Sequence, residues 1–126
     1  MSESNSSYLR LSKELGLKSH PARFPSRLPE FFIKFLTDEG DLVVDIFSGS
    51  NTAGEVAERM GRRWLAFDND LGYVANSSLR FIDPDYADKM GIVEMINKKE
   101  CVDLAALKAQ QALLPVDDRF FTHLYT

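Results

Sequence analysis

An α/β fold with an incomplete parallel sheet flanked by helices is what this chain predicts. Three observations carry that expectation. The apolar run Leu42-Val-Val44 meets an acid at Asp45. A small-residue turn, Ser48-Gly-Ser-Asn51, follows and opens into a helical pattern. A second short run, Trp64-Leu-Ala-Phe67, closes on another acid, Asp68. Buried strand, tight turn and helix start, met in that order, describe parallel strands joined by a crossover helix.

The elements follow along the chain. Met1 to Ser7 is polar and reads as a loose end. Tyr8 to Leu17 predicts a short helix with Gly16 near its end. Pro21, Pro25 and Pro29 exclude regular helix from Lys18 to Pro29. Leu28, Phe31, Phe32, Phe35 and Leu36 recur at the spacing of an amphipathic helix, and Pro29 suits its first turn, where no amide donor is needed. A turn at Asp38 to Asp41 leads into the first strand, Leu42 to Phe47. Ala53, Val56, Ala57 and Met60 predict the buried stripe of the next helix, and Gly61 its stop. Arg63 to Phe67 is the second strand. Asp70 is placed to cap a further helix bearing Tyr73, Val74, Ser77 and Phe81, which Asp83-Pro-Asp85 breaks. Gly91 to Ile96 fits helix or strand. Asp103 to Leu114 predicts a helix capped by Asp103 and ended by Pro115. The chain divides on this basis into a polar N-terminal segment with a short helix (1–18), a core (19–82) and a helical C-terminal extension (83–126).

The 126 residues suffice for one domain, and 44% apolar content supports a core. A net charge of −4 argues against the chain alone gripping nucleic-acid phosphates. The single cysteine, Cys101, excludes an internal disulfide, and two histidines argue against a metal cage. No apolar stretch reaches the length of a membrane span, and the N-terminus is not signal-like, so the expected setting is the cytoplasm.

The corner after the first strand is where a doubly wound sheet binds a nucleotide-like ligand. Glycine there lets backbone approach the ligand closely. Asp68 ends the second strand at about the 20-residue offset expected of a ribose-binding acid. The turn holds Gly49 alone rather than G-x-G-x-x-G, which weakens a dinucleotide reading, and no phosphate-binding G-x-x-x-x-G-K-S/T run is present. One nucleoside with a zwitterionic tail fits better, and S-adenosylmethionine has that form.

Three strings, His20-Pro-Ala-Arg-Phe-Pro25, Asp45-Ile-Phe-Ser-Gly-Ser-Asn-Thr52 and Trp64-Leu-Ala-Phe-Asp-Asn-Asp-Leu-Gly-Tyr73, resemble the C-terminal portion of the amino-group DNA methyltransferases. More narrowly, they are similar to the class whose catalytic half comes first. The resemblance covers about Tyr8 to Phe81 and implies a partial Rossmann-like methyltransferase fold. It also implies methylation of an exocyclic base amine in DNA, as in restriction-modification systems. By that likeness His20, Pro21, Ala22, Phe24 and Pro25 form the loop over the methionine end of the cofactor. Asp45, Phe47, Gly49, Ser50, Asn51 and Thr52 match the first cofactor motif. Asp68 matches the ribose-binding acid, which is more often Glu in relatives. Asp70 and Tyr73 also fit the pattern. The Ser50-Asn51 form leans toward cytosine N4 over adenine N6. The reading further expects Phe24 and Asp68 to share one cavity.

Amino methylation also needs an acceptor for the amine and a ring on which the flipped base stacks; in the family this chain resembles, a D/N/S-P-P-Y/F/W tetrapeptide supplies both. None occurs here. The nearest string, Asp83-Pro-Asp-Tyr86, has Asp85 in place of the second proline and reads as a helix stop and turn. No catalytic residue is therefore assigned. The basic target-recognition region is absent too. The expectation is a truncated or split enzyme that reaches DNA only through a separate catalytic half. Two strands make a poor sheet, which predicts a partner chain, self-association or marginal stability. Alternatives are a non-catalytic cofactor-binding or regulatory module and, more weakly, a small-molecule methyltransferase. Phe24 and Phe47 read equally as core residues, Trp64 and Tyr73 as core rather than base-stacking platforms.

Overall fold

A computed structural model of the chain describes residues 3–83 and 85–111. Helices α1 (Glu3–Glu14) and α2 (Arg27–Leu36) precede strand β1 (Leu42–Asp45). Helix α3 (Thr52–Arg59) crosses to β2 (Arg63–Ala66). Helix α4 (Leu71–Ser77), a 3₁₀ turn (Ser78–Arg80), α5 (Lys89–Asn97) and α6 (Leu104–Gln111) follow. The strands pair in parallel, with Leu42 beside Arg63, Val43 beside Trp64, Val44 beside Leu65 and Asp45 beside Ala66. Among the described residues the sheet has these two strands only, so each keeps one open edge.

One face of the sheet carries the core. Trp64 and Ala66 of β2 join Val56 and Ala57 of α3, Val74 and Ala75 of α4, and Ile92, Val93 and Ile96 of α5. Tyr8 and Leu11 of α1 belong to the same cluster, as do Val102 and Leu104. Trp64 stacks on Phe81 at 4.8 Å, a contact that adds about 0.5–1.5 kcal/mol beyond the area it buries. One core thus runs through residues on both sides of the boundaries expected at 18 and 82. No helix among the described residues is long and apolar enough to cross a membrane.

Several elements depart from expectation. Helix α1 begins at Glu3, inside the segment read as loose. Burial of Tyr8 and Leu11 stabilises a helix that propensity alone would not hold. It ends as Gly16 predicts: at φ +66° the chain turns back, with Leu17 N–H donating to Ser12 O and Gly16 N–H to Lys13 O. Helix α2 forms, but its buried residues are Pro29 and Ile33. The stripe Leu28, Phe31, Phe32, Phe35 and Leu36 is exposed. Strand β1 stops at Asp45, whose carboxylate accepts the Phe47 N–H at 3.0 Å and turns the chain.

Helix α4 ends at Ser77 rather than reaching Phe81. Ser77 and Ser78 hydroxyls donate back to the carbonyls of Val74 (2.7 Å) and Ala75 (2.6 Å), and the chain tightens into the 3₁₀ turn. The undecided segment Gly91 to Ile96 is helical, because Asp88 caps α5 through the Gly91 N–H at 3.0 Å. Asp103 caps α6 as expected, accepting from Ala106 N–H at 2.9 Å. The expected stop at Pro115 lies outside the described residues.

Candidate functional site

The site is built at the tips of the two strands. Ser48 N–H donates to Phe67 O and Phe67 N–H to Asp45 O, both at 2.9 Å, so the ladder carries the turn over the end of β2. Asn51 N–H closes that turn on Ser48 O at 2.7 Å. Gly49 has φ +52°, and a Cβ there would meet the His20 ring at 3.1 Å. The backbone conformation therefore favours glycine, and any side chain there would also crowd the His20 ring. Asn51 takes the left-handed conformation at φ +59°, which asparagine tolerates, and its Oδ1 caps α3 by accepting Gly54 N–H at 3.0 Å. A Cβ on Gly54 would collide with that same side chain.

Asp68 is tied into this turn. Its Oδ2 accepts the Gly49 N–H at 2.9 Å and its Oδ1 the Asp70 N–H at 2.8 Å. The acid that ends β2 thus braces the glycine turn that follows β1. Each carboxylate oxygen offers two acceptor sites, so capacity for further donors remains. Asp70 in turn caps α4 through Tyr73 N–H at 3.2 Å.

The segment before α2 reaches the same corner through His20. Buried Asn76 holds its stem: Asn76 Nδ2 donates to Lys18 O at 3.0 Å, and Ser12 donates to Asn76 Oδ1 at 3.3 Å. The His20 ring sits edge-on to Tyr73 with centroids 4.6 Å apart. Its Nδ1 lies 2.7 Å from the Ala22 carbonyl oxygen and 3.2 Å from the Ala22 nitrogen, so the ring is held on the backbone of Ala22. Arg23, an exposed loop arginine, folds back to donate to Ser19 Oγ and His20 O. Pro21, Ala22, Phe24 and Pro25 are exposed. No hydrogen bond or ring contact among the described residues joins Pro21, Phe24 or Pro25 to the turn. Phe24 is 42% and Phe47 84% exposed, which corrects the reading of either as a core residue. Trp64 is core as read, whereas Tyr73 is half-buried against His20. A separate small apolar hollow, lined by Phe81, Tyr86, Ile92 and Leu104 among others, shares no residue with this corner.

Two further side chains stand behind the turn without having been singled out from sequence. Arg80 donates to Ser50 and Thr52, and the Tyr8 ring lies against its guanidinium. Burial pushes the Tyr8 hydroxyl pKa up, with the Arg80 charge offsetting part of that rise. The available signal for Arg80 was its place as the lone charge within the apolar and small run Val74 to Ile82. Among the described residues, Asn51 Nδ2 is buried with no hydrogen-bond partner. An unpaired buried amide donor at the head of α3 is a costly feature.

These features meet in a known family. A model of the DNA methylase family, N6/N4 type, matches residues 2–78. The Type II methyltransferase M.PvuII of Proteus hauseri is 50% identical over 108 residues, 84% of this chain and 32% of that protein. The Type II methyltransferase M2.DpnII of Streptococcus pneumoniae is 44% identical over 55 residues, 44% of this chain and 20% of that protein. A solved structure of PvuII DNA methyltransferase (cytosine-N4-specific) superposes with a TM-score of 0.74 at 51% identity, covering 79% of this chain and 36% of that one. The fold is therefore part of a Rossmann-like methyltransferase fold, and the chain spans about a third of the length of M.PvuII. Because the family match takes in the His20 segment, the glycine turn and both strands, the chain belongs to the N6/N4 DNA methylase family.

Proposed function

We propose that this chain is the S-adenosylmethionine-binding segment of a DNA methyltransferase acting on an exocyclic base amine. The observation that carries the reading is the Asp68–Gly49 hydrogen bond beneath His20, which joins the three sequence motifs in one corner. The residues suit the ligand's parts. Asp68 keeps acceptor capacity for ribose hydroxyls. Asn51 Nδ2 and the head of α3 suit an anionic methionine tail. Asp45, Ser50 and Thr52 shape the turn between them, and exposed Phe47 and Phe24 offer apolar walls. Pro21, Ala22 and Pro25 constrain the His20 segment above it. When bound, the cofactor presents a sulfonium methyl group. This chain's own residues bind and orient it.

The likeness to a cytosine-N4-specific enzyme at 51% identity supports cytosine N4 over adenine N6. The base-binding tetrapeptide and the DNA-gripping surface belong, on this reading, to polypeptide outside these 126 residues. That polypeptide would also cover the exposed apolar faces of α2 and β1.

Isothermal titration with S-adenosylmethionine tests the assignment. The native chain binds, and Asp68→Ala weakens binding roughly tenfold or more, as loss of hydrogen bonds to a charged group does. Asp68→Asn, which keeps an acceptor for Gly49, separates brace from ligand contact. Unchanged affinity in both variants, with unchanged circular dichroism, refutes the site.

A further inference from the structure

Arg80 has no part in the function proposed so far, yet its side chain is fully buried at 0% exposure. Its Nε donates to the Ser50 carbonyl. Its Nη2 donates to Ser50 Oγ at 3.1 Å and Thr52 Oγ1 at 3.2 Å. Its Nη1 is paired with the Glu55 carboxylate on α3. The Tyr8 ring of α1 lies 4.2 Å from the guanidinium carbon. One side chain therefore ties the 3₁₀ turn, the Ser50–Thr52 segment, α3 and α1 together.

Removing a guanidinium from water costs several kcal/mol, and only a full set of partners offsets it. A surface arginine would satisfy itself in water with no such demand. The cluster is satisfied only when Ser50 and Thr52 keep their present places. Any other path of the loop strands a buried charge. The residues it fixes flank Asn51, whose left-handed backbone and unpaired Nδ2 define the head of α3. Lysine cannot replace it: an ammonium carries charge but not the planar fork that reaches a carbonyl, two hydroxyls and a carboxylate at once.

We infer that Arg80 is a positioning residue for the cofactor site, clamping Ser50 and Thr52 from behind so that the turn is preformed before ligand arrives. The inference rests on the proposed function for its ligand but not for its geometry. Preformation lowers the ordering cost of binding, so its loss is read in affinity.

The test compares the native chain with Arg80→Lys and Glu55→Gln. Two readouts are needed: S-adenosylmethionine affinity by calorimetry, and exchange without ligand of the hydrogen-bonded amides of Asn51, Gly54 and Glu55. In Arg80→Lys these amides lose protection while those of α5 keep it, and affinity falls roughly tenfold or more. Glu55→Gln moves both readouts in the same direction by less, and it decides the matter should Arg80→Lys fail to fold. Native protection of the three amides in the folded variants overturns the clamp. Weaker binding that merely tracks the unfolded fraction overturns it too, since that is a structural role alone. A native chain that does not bind S-adenosylmethionine, but whose Asn51, Gly54 and Glu55 amides lose protection in Arg80→Lys, refutes the proposed function and leaves the clamp standing.

Discussion

On one face of the β1–β2 sheet, Trp64 and Ala66 lie buried among side chains from α1, α3, α4 and α5. On the other, Leu42, Val44, Ile46 and Phe67 stand exposed. Both sets follow the same period-2 alternation, and both are apolar enough for a core. Helix α2 repeats the contrast: Ile33 is buried, whereas Phe35 is 74% exposed. The Phe31 ring meets the rings of its helix neighbours Phe32 and Phe35, at 5.3 and 6.0 Å. Burying a Val, Leu, Ile or Phe side chain contributes about 1.5–3 kcal/mol. The covered face supplies that stabilisation, and the bare face leaves it unrealised. A parallel sheet with helices on one side only is half of the usual arrangement. The difference shows which surfaces hold this chain together and which apolar surfaces it leaves bare.

The largest effect expected is on the covered face. Trp64→Ala removes the ring that stacks on Phe81 and leaves a cavity beneath the core of α3 and α4. Such truncations cost about 3–5 kcal/mol, a large part of a small domain's stability. Urea denaturation followed by circular dichroism measures it. A loss under about 1 kcal/mol would break the comparison, because Trp64 would then be no better packed than a surface residue.

What sequence could and could not reveal follows the same division. β1, α3 and β2 were legible, because an apolar run, a glycine turn and a Gly61 stop each leave a local mark. The meeting of Gly49, Asp68 and His20 was legible too, through motifs whose residue types answer to backbone geometry. The covering of α2 was not. A stripe such as Leu28 to Leu36 records that a face is apolar, never what lies against it. Helix α1 was mistaken at its start for a related reason: its helicity from Glu3 depends on Tyr8 and Leu11 reaching residues far along the chain. Arg80 escaped because its partners, Ser50 and Glu55, are 30 and 25 positions away. The segment that carries Phe24 meets the corner through His20, whose ring lies against Gly49 and Tyr73.

A smaller effect sharpens the picture of how the covered face closes. Helix α5 contributes Ile92, Val93 and Ile96 to the core and starts at Asp88, whose carboxylate accepts the Gly91 N–H. Loss of such a cap costs about 1 kcal/mol. Asp88→Ala should therefore lower the melting free energy by about that much, whereas Asp88→Ser, which keeps a capping oxygen, should recover most of it. Equal stability in Asp88→Ala and the native chain would show that packing alone fixes the start of α5.

The smallest effect expected on the isolated chain is on the bare face, and there the sign of the argument reverses with context. Val44→Thr keeps the β-branched shape a strand favours, and Phe35→Gln keeps a good helix former. Neither removes a buried contact, so each should change stability by no more than about 0.5 kcal/mol. Adding the part of M.PvuII that lies outside its match to this chain should change the outcome. Burial of Val44 and Phe35 under that polypeptide would turn each substitution into a buried polar group, so both variants should bind it more weakly than the native chain in sedimentation or pull-down. A loss of about 2 kcal/mol or more in the isolated chain would mean the face is already covered, for instance by a second copy, which sedimentation of the native chain would reveal as a dimer. Full-strength association by both variants would mean that the complement docks elsewhere, and that the exposed phenylalanines of α2 and the outward residues of β1 have some other occupant.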